Sequence, residues 1–202
     1  MMRPPIFFGV PGATWVTVLA FWSLFYLWFF SEIWIGWRKR AAPGTKTRDR
    51  GSKWFLILSV WVATGVGLGL AMGLPQAAIP FDRNAVFTAG LLLMIAGMGL
   101  RWYSIHALGT SFTTEVATRS GQLVVQAGPY RWVRHPSYTG SLVTILGVLL
   151  CCLNWASLAA FALALAGYAY RIRIEEEALA ESLGDEYRSY MRRTRRLIPR
   201  IF

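Results

Sequence analysis

Hydrophobic residues fall in five runs, separated by polar segments marked with proline or glycine. The first, residues 12–37, is long enough to cross the roughly 30 Å of bilayer hydrocarbon at about 1.5 Å per residue, and it carries Glu32 near its inner end. The second, residues 54–74, contains Gly65, Gly67, Gly69 and Gly73, which suit close packing against a neighbouring helix. The third, residues 85–108, contains Gly90, Gly97 and Gly99 and becomes amphipathic at its inner end, at Arg101, Trp102, Tyr103 and His106. The fourth and fifth, residues 141–153 and 156–170, are separated only by Asn154-Trp155. They are short for full spans and predict a tight helical hairpin extended by its interfacial ends. No turn signal follows Tyr170, so the fifth helix is expected to leave the membrane and run on to Gly184. The pattern predicts an all-α integral membrane protein of about five transmembrane helices. It reads as one domain over residues 1–202, with residues 1–100 as its N-terminal helices.

The polar segments set the orientation. Residues 38–53 hold seven Lys or Arg against the single Asp49, and residues 185–202 interleave six arginines with Tyr187, Tyr190, Leu197 and Ile198. Residues 109–127 are rich in Thr and Ser, with Leu123-Val124-Val125 as a short extended piece, whereas the linker around Pro75 and Pro80 carries only Asp82 and Arg83. The positive-inside rule then puts the N-terminus outside, and the basic segments, the C-terminus and any site beside them on the cytoplasmic face.

Composition agrees with a membrane solvent: 55% of the 202 residues are hydrophobic, only 15% are charged, and ten are tryptophan. A net charge of +11 invites a nucleic-acid reading, but the basic residues cluster at the ends of apolar runs. Membrane topology and anionic lipid account for them, and no nucleic-acid partner is expected. Cys151 and Cys152 are adjacent within an apolar run, which suits neither an ordinary disulfide nor a metal site. The N-terminus lacks a basic n-region followed by a short apolar core, so no cleaved signal peptide is expected.

Candidate chemistry lies on the inner face. The stretch 128–140 packs two prolines, three aromatics, two arginines and His135 against the fourth apolar run. Pro136 is suited to the first turn of a helix, which leaves the amides of Ser137 and Tyr138 facing outward as an anion site. An ordinary interfacial start of a membrane helix explains the same residues. Arg171 and Glu175, at i and i+4, share a helix face. They form either a helix-stabilising ion pair or a set that addresses opposite charges on two ligands. Trp102 and His106 also share a face; they are either an interfacial belt or a substrate-binding pair. His106, His135 and Glu115 lack metal-ligand spacing, and no metal is expected.

Taken in order, Gly128-Pro129-Tyr130, then Arg134 to Gly140, an apolar hairpin, and Glu175-Glu176 followed by Leu179, Gly184, Tyr187 and Tyr190 closely resemble the isoprenylcysteine carboxyl methyltransferase family. The wider membrane methyltransferases, including the phospholipid N-methyltransferases, share the likeness, which covers residues 101–199 and makes residues 101–202 the methyltransferase-like, cofactor-binding part. The resemblance implies a helical membrane enzyme that uses S-adenosylmethionine and releases S-adenosylhomocysteine. It implies cofactor contacts at Gln122, Leu123, Val124, Val125, Tyr130, His135, Pro136, Ser137, Tyr138, Glu175 and Glu176. Arg171 matches the family's substrate-side arginine, so Arg171 and Glu175 are the expected catalytic pair, with Arg171, Trp102 and His106 on the substrate side.

The expected reaction is carboxyl methylation of a lipophilic, prenylcysteine-like acid or another hydrophobic acid that arrives from the bilayer. A carboxylate is already ionised at pH 7 and needs no general base, whereas an amine would need one. Phospholipid headgroup N-methylation is the alternative, followed by a membrane reductase and by a non-catalytic membrane protein.

Overall fold

Gly140 and Gly97 let the backbones of the third and fourth helices touch, and the rest of the bundle is arranged around that contact. The computed structural model describes residues 14–40, 48–80, 82–116 and 124–199. It contains α1 (Trp15–Arg38), α2 (Ser52–Gly73), α3 (Arg83–Leu108), α4 (Pro136–Cys151), α5 (Trp155–Ala159) and α6 (Phe161–Arg193), with short 3-10 turns at Pro75–Ala77, Gly109–Ser111 and Gly128–Arg131. Among the described residues there is no strand beyond two isolated bridges.

Four helical stretches are long and apolar enough to cross a membrane: Trp15–Arg38, Ser52–Gly73, Arg83–Ser111 and Trp155–Arg193. The fifth apolar helix, α4, has only 16 residues, or about 24 Å. Most of its side chains are buried against other helices, so it meets protein where the longer helices meet lipid. Those longer helices turn Trp15, Leu19, Leu27, Phe30, Trp34 and Leu58 outward. An apolar surface on that scale is stable only against hydrocarbon.

The α3–α4 contact follows from small residues. A Cβ added at Gly140 would lie 2.6 Å from the Arg101 backbone nitrogen and 2.7 Å from the Gly97 carbonyl, and one at Gly147 would lie 2.6 Å from the Gly90 carbonyl. Real Cβ atoms do not approach so closely, so only glycine permits this approach of the two helices. The glycine-rich α2 differs from its expected packing. Gly67 alone faces a neighbour, Leu149, while Gly65, Gly69 and Gly73 face open space.

Capping residues fix the ends. The Thr14 side chain caps α1, and the Asp82 carboxylate caps α3 through the Asn84 and Ala85 amides. Asn154 both caps α5 and donates to the Leu74 carbonyl at 2.8 Å, which ties that corner to α2. The expected turn at Asn154-Trp155 is therefore the capped start of the five-residue α5. Pro136 occupies the first turn of α4, with His135 as its N-cap. Helix α6 carries the fifth apolar run without interruption into the polar segment, and Gly184 (φ 61°, ψ −133°) redirects it. Residues 194–196 then lie beside residues 132–135: Arg134 and His135 donate their amides to the Arg195 and Arg196 carbonyls at 2.7 and 3.0 Å. The predicted basic tail is thus folded onto the start of α4.

Gly140→Leu is expected to destabilise the protein by more than the ~1–3 kcal/mol of ordinary overpacking, because backbone, not a movable side chain, blocks it. Gly65→Ala should leave the melting temperature in detergent unchanged or raise it. Similar melting curves for the two variants would refute the assignment of the close approach to Gly140.

Candidate functional site

Two cavities meet at one end of the bundle. One is a polar cleft of about 850 Å³, counting its open mouth. It lies between the end of α3 with residues 111–116, the start of α4, and the polar part of α6. The other is a mainly apolar chamber of about 1860 Å³, counted the same way, walled by α1, α2, Arg101, Tyr168 and Arg171. Phe112, Thr113, Glu115 and Tyr138 line both.

Spacing on α6 explains how one helix serves both cavities. Glu175, Leu179, Leu183, Tyr187 and Tyr190 recur every three or four residues and line the cleft, while Arg171, one turn before Glu175, lines the chamber. Arg171 and Glu175 do not pair directly. The Tyr138 hydroxyl sits between them, donating to Glu175 Oε2 at 2.6 Å and accepting from Arg171 Nε at 3.2 Å. Its ring stacks on His135 with centroids 5.4 Å apart.

Arg171 is only 3% exposed and has further partners: the Asp49 carboxylate, the Ser52 hydroxyl at 2.7 Å and the Thr114 carbonyl at 2.9 Å. Burial alone would raise the pKa of Asp49. The Lys53 amide, Arg171 and the Val116 amide outweigh it and hold the carboxyl below its ordinary value. On the cleft side, burial and then the Glu175 charge push the Tyr130 phenol well above its usual range, so it stays protonated.

Glu176 behaves differently from Glu175. It is 4% exposed, accepts from Arg134 Nε at 2.8 Å and Arg196 Nε at 3.0 Å, and lies 3.2 Å from His135 Nε2. It bolts α6 to the start of α4 and to the returning tail. Glu176 points about 100° away from the Glu175 face and does not line the cleft, so it stands apart from the other expected cofactor contacts. Trp102 and His106, expected on the substrate side, also lie apart from it. Both are exposed on the outer face of α3 and line neither cavity, because Arg101 and Ile105 take the inner face.

The remaining expected contacts divide. Val124, Val125, Tyr130, His135, Ser137 and Tyr138 line the cleft beside Glu175, while Pro136 lies buried beneath as the helix start. Gln122 and Leu123 fall outside the described residues. The Tyr138 amide is occupied by the His135 carbonyl at 3.0 Å, which removes it from the expected anion site. Among the described residues no group of three or more His, Cys, Asp or Glu could hold a metal.

Sequence reasoning missed several groups. The regular recurrence of Leu179, Leu183 and Tyr187 after Glu175 would have revealed the cleft wall. Pairing of Glu32 with Arg101, of Lys53 with Glu115 and of Asp49 with Arg171 joins residues 62 to 122 positions apart and left no local signal. The Tyr187 hydroxyl is buried in the cleft wall without a partner among the described residues.

A helical membrane protein with a polar cleft and an apolar chamber sharing one wall is the class that fold and site define. The profile of the isoprenylcysteine carboxyl methyltransferase (ICMT) family matches residues 90–181. The chain is 39% identical over 104 residues to the protein-S-isoprenylcysteine O-methyltransferase of Saccharomyces cerevisiae, covering 50% of this chain and 44% of that protein. It is 31% identical over 158 residues to the nickel-cobalt-cadmium resistance protein NccN of Alcaligenes xylosoxydans xylosoxydans, covering 77% of this chain and 67% of that one. A solved structure of the eukaryotic intramembrane Ras methyltransferase ICMT superposes with a TM-score of 0.55 at 28% identity, over 72% of this chain and 51% of that one. The chain belongs to the ICMT family, and it spans about half the length of the methyltransferase relatives it matches.

Glu176→Gln leaves the buried Arg134 side chain and the partly exposed Arg196 short of a counter-charge and is expected to destabilise the fold by about 3–5 kcal/mol. Glu177→Gln, which loses only an exposed pair with Arg50, should stay within about 0.5 kcal/mol. Equal unfolding midpoints in denaturant would disprove the bolt.

Proposed function

We propose that this protein is an S-adenosylmethionine-dependent membrane methyltransferase that esterifies the carboxylate of a lipophilic, prenylcysteine-like acid. One observation carries the reading: cleft and chamber share the wall at Phe112 and Tyr138, with Glu175 on one side and Arg171 on the other. A donor in the cleft and an apolar acceptor in the chamber would meet there.

The cleft fits the donor. Tyr187 offers a buried hydroxyl with no partner, a group that costs stability until something bonds it. Glu175 remains 28% exposed and would face the donor's ammonium. Leu108, Phe112, Val124 and Leu179 offer the adenine an apolar seat. Ser137, whose hydroxyl accepts from Arg101 at 3.0 Å, keeps its own proton to donate to the donor's carboxylate. Bound there, S-adenosylmethionine supplies an electrophilic methyl group on a sulfonium sulfur.

The chain's own residues provide position and dryness. The chamber, lined by Trp28, Phe29, Ile57 and Trp61, holds an apolar tail. Arg171 and the Tyr138 hydroxyl stand where the tail's acidic head would end. Phe112 and the stacked His135–Tyr138 rings keep water from the shared wall, where an in-line displacement needs the nucleophile held close. No residue has to remove a proton, because the acid is already ionised at pH 7. The basic segments support a cytoplasmic position for this face. Residues 1–202 act as one membrane domain, with lipid as both surroundings and route of arrival.

Calorimetry of the purified protein should detect S-adenosylhomocysteine binding. Glu175→Ala should weaken it by about tenfold or more, the scale of a lost charge-assisted hydrogen bond. Tyr187→Phe should weaken binding while raising the melting temperature of the free protein, because it removes an unsatisfied hydroxyl. Labelled methyl groups should appear in base-labile esters. Label found only in base-stable lipid amines would favour phospholipid N-methylation, and no binding at all would overturn both readings.

A further inference from the structure

Asp49 is the single acidic residue of a segment with seven basic ones, and it lies outside the matched residues 90–181. Its carboxylate is nevertheless the partner of Arg171. We propose that Asp49 is a positioning residue for methyl transfer, holding Arg171 so that its Nε–H meets Tyr138 and one remaining N–H faces the acceptor. This rests on the methyltransferase reading above.

The arrangement around Arg171 limits what that arginine can do alone. A guanidinium has five N–H donors. Four are engaged: Nε with the Tyr138 hydroxyl, Nη1 with Asp49 and Ser52, and Nη2 with the Thr114 carbonyl. A two-pronged clamp on an acceptor carboxylate would need two free donors. The single donor left must therefore be aimed, and Asp49 is the charged group that aims it.

Asp49 is itself held from three sides. Its Oδ2 accepts the Lys53 amide at 2.9 Å, its Oδ1 accepts the Val116 amide at 3.3 Å, and its carbonyl accepts the Ser52 amide at 2.7 Å. Backbone amides of α2's first turn and of the segment after α3 thus fix the carboxylate, so it is a fixed strut and not a latch that an arriving acid would displace. The strut continues from Asp49 through Arg171 and Tyr138 to Glu175, from the chamber wall into the cleft. The same segment is fastened to α6 by Arg48–Glu181 and Arg50–Glu177, and Arg50 adopts a left-handed φ of 44° beside Gly51. Strained backbone of that kind persists only where its surroundings over-determine it.

Asparagine keeps one acceptor and puts an amide NH2 in place of the other carboxylate oxygen, so Asp49→Asn removes the charge at nearly unchanged size and tests the positioning effect. With an N-acylated S-prenylcysteine as acceptor, the full-length protein carrying Asp49→Asn should lose about tenfold or more in kcat, since small misplacements at a reacting centre are costly. Its KM for the acceptor should not rise, because the arginine left without its partner attracts the acid at least as well. The melting temperature should fall, because buried Arg171 loses its counter-charge, but S-adenosylhomocysteine affinity should stay at the wild-type value. A merely structural role would lower S-adenosylhomocysteine affinity together with kcat, and that outcome overturns the proposal, as does wild-type kcat. Failure of the wild-type protein to bind S-adenosylhomocysteine or turn over the acid would instead remove the underlying reading, and this proposal with it.

Discussion

A charge in an apolar interior is costly unless an opposite charge meets it there, and this constraint binds the two halves of the chain. Arg101, Glu115 and Arg171 all lie within the matched family segment. Their partners, Glu32, Lys53 and Asp49, come from α1, the start of α2 and the segment between them. Such pairs contribute little net stability compared with apolar replacements, but breaking one is expensive. Their effect is to specify which helices lie together, and so to line much of the chamber with residues from outside the matched segment.

The shared wall follows from that arrangement. Once Arg171 is turned toward Asp49, its Nε–H is left for the Tyr138 hydroxyl, and Tyr138 in turn reaches Glu175. A helix presents residues i and i+4 one turn apart on one side. Here the aromatic hydroxyl wedged between them divides that side into a chamber end and a cleft end. The start of α4 can occupy this place because Pro136 opens the helix there and glycines let α4 lie against α3.

Much of this was legible in the chain. Five apolar runs became five apolar helices, Pro136 began α4, Gly184 broke α6, and Glu175 entered the cleft because residue spacing on a helix is fixed by geometry. What escaped detection depends on the rotation of helices about their axes. Periodicity shows that Trp102 and His106 share a face, but not that Arg101 claims the inner one. Adjacent glutamates look equivalent in sequence, yet about 100° of helix rotation gives Glu175 a cavity and Glu176 two arginines and a histidine. Asp49 looked like a stray acid because its partner lies 122 positions away.

The fold-back after Gly184 has a consequence for biosynthesis. Glu176 receives its last cation from Arg196, and the backbone of the start of α4 is pinned by the carbonyls of Arg195 and Arg196. A ribosome must therefore translate some twenty residues past the acid, through Arg196, before its full set of partners is in place. Until then the newly inserted helices hold an unfinished pocket, so assembly of the donor side is necessarily a late event in the life of the nascent chain.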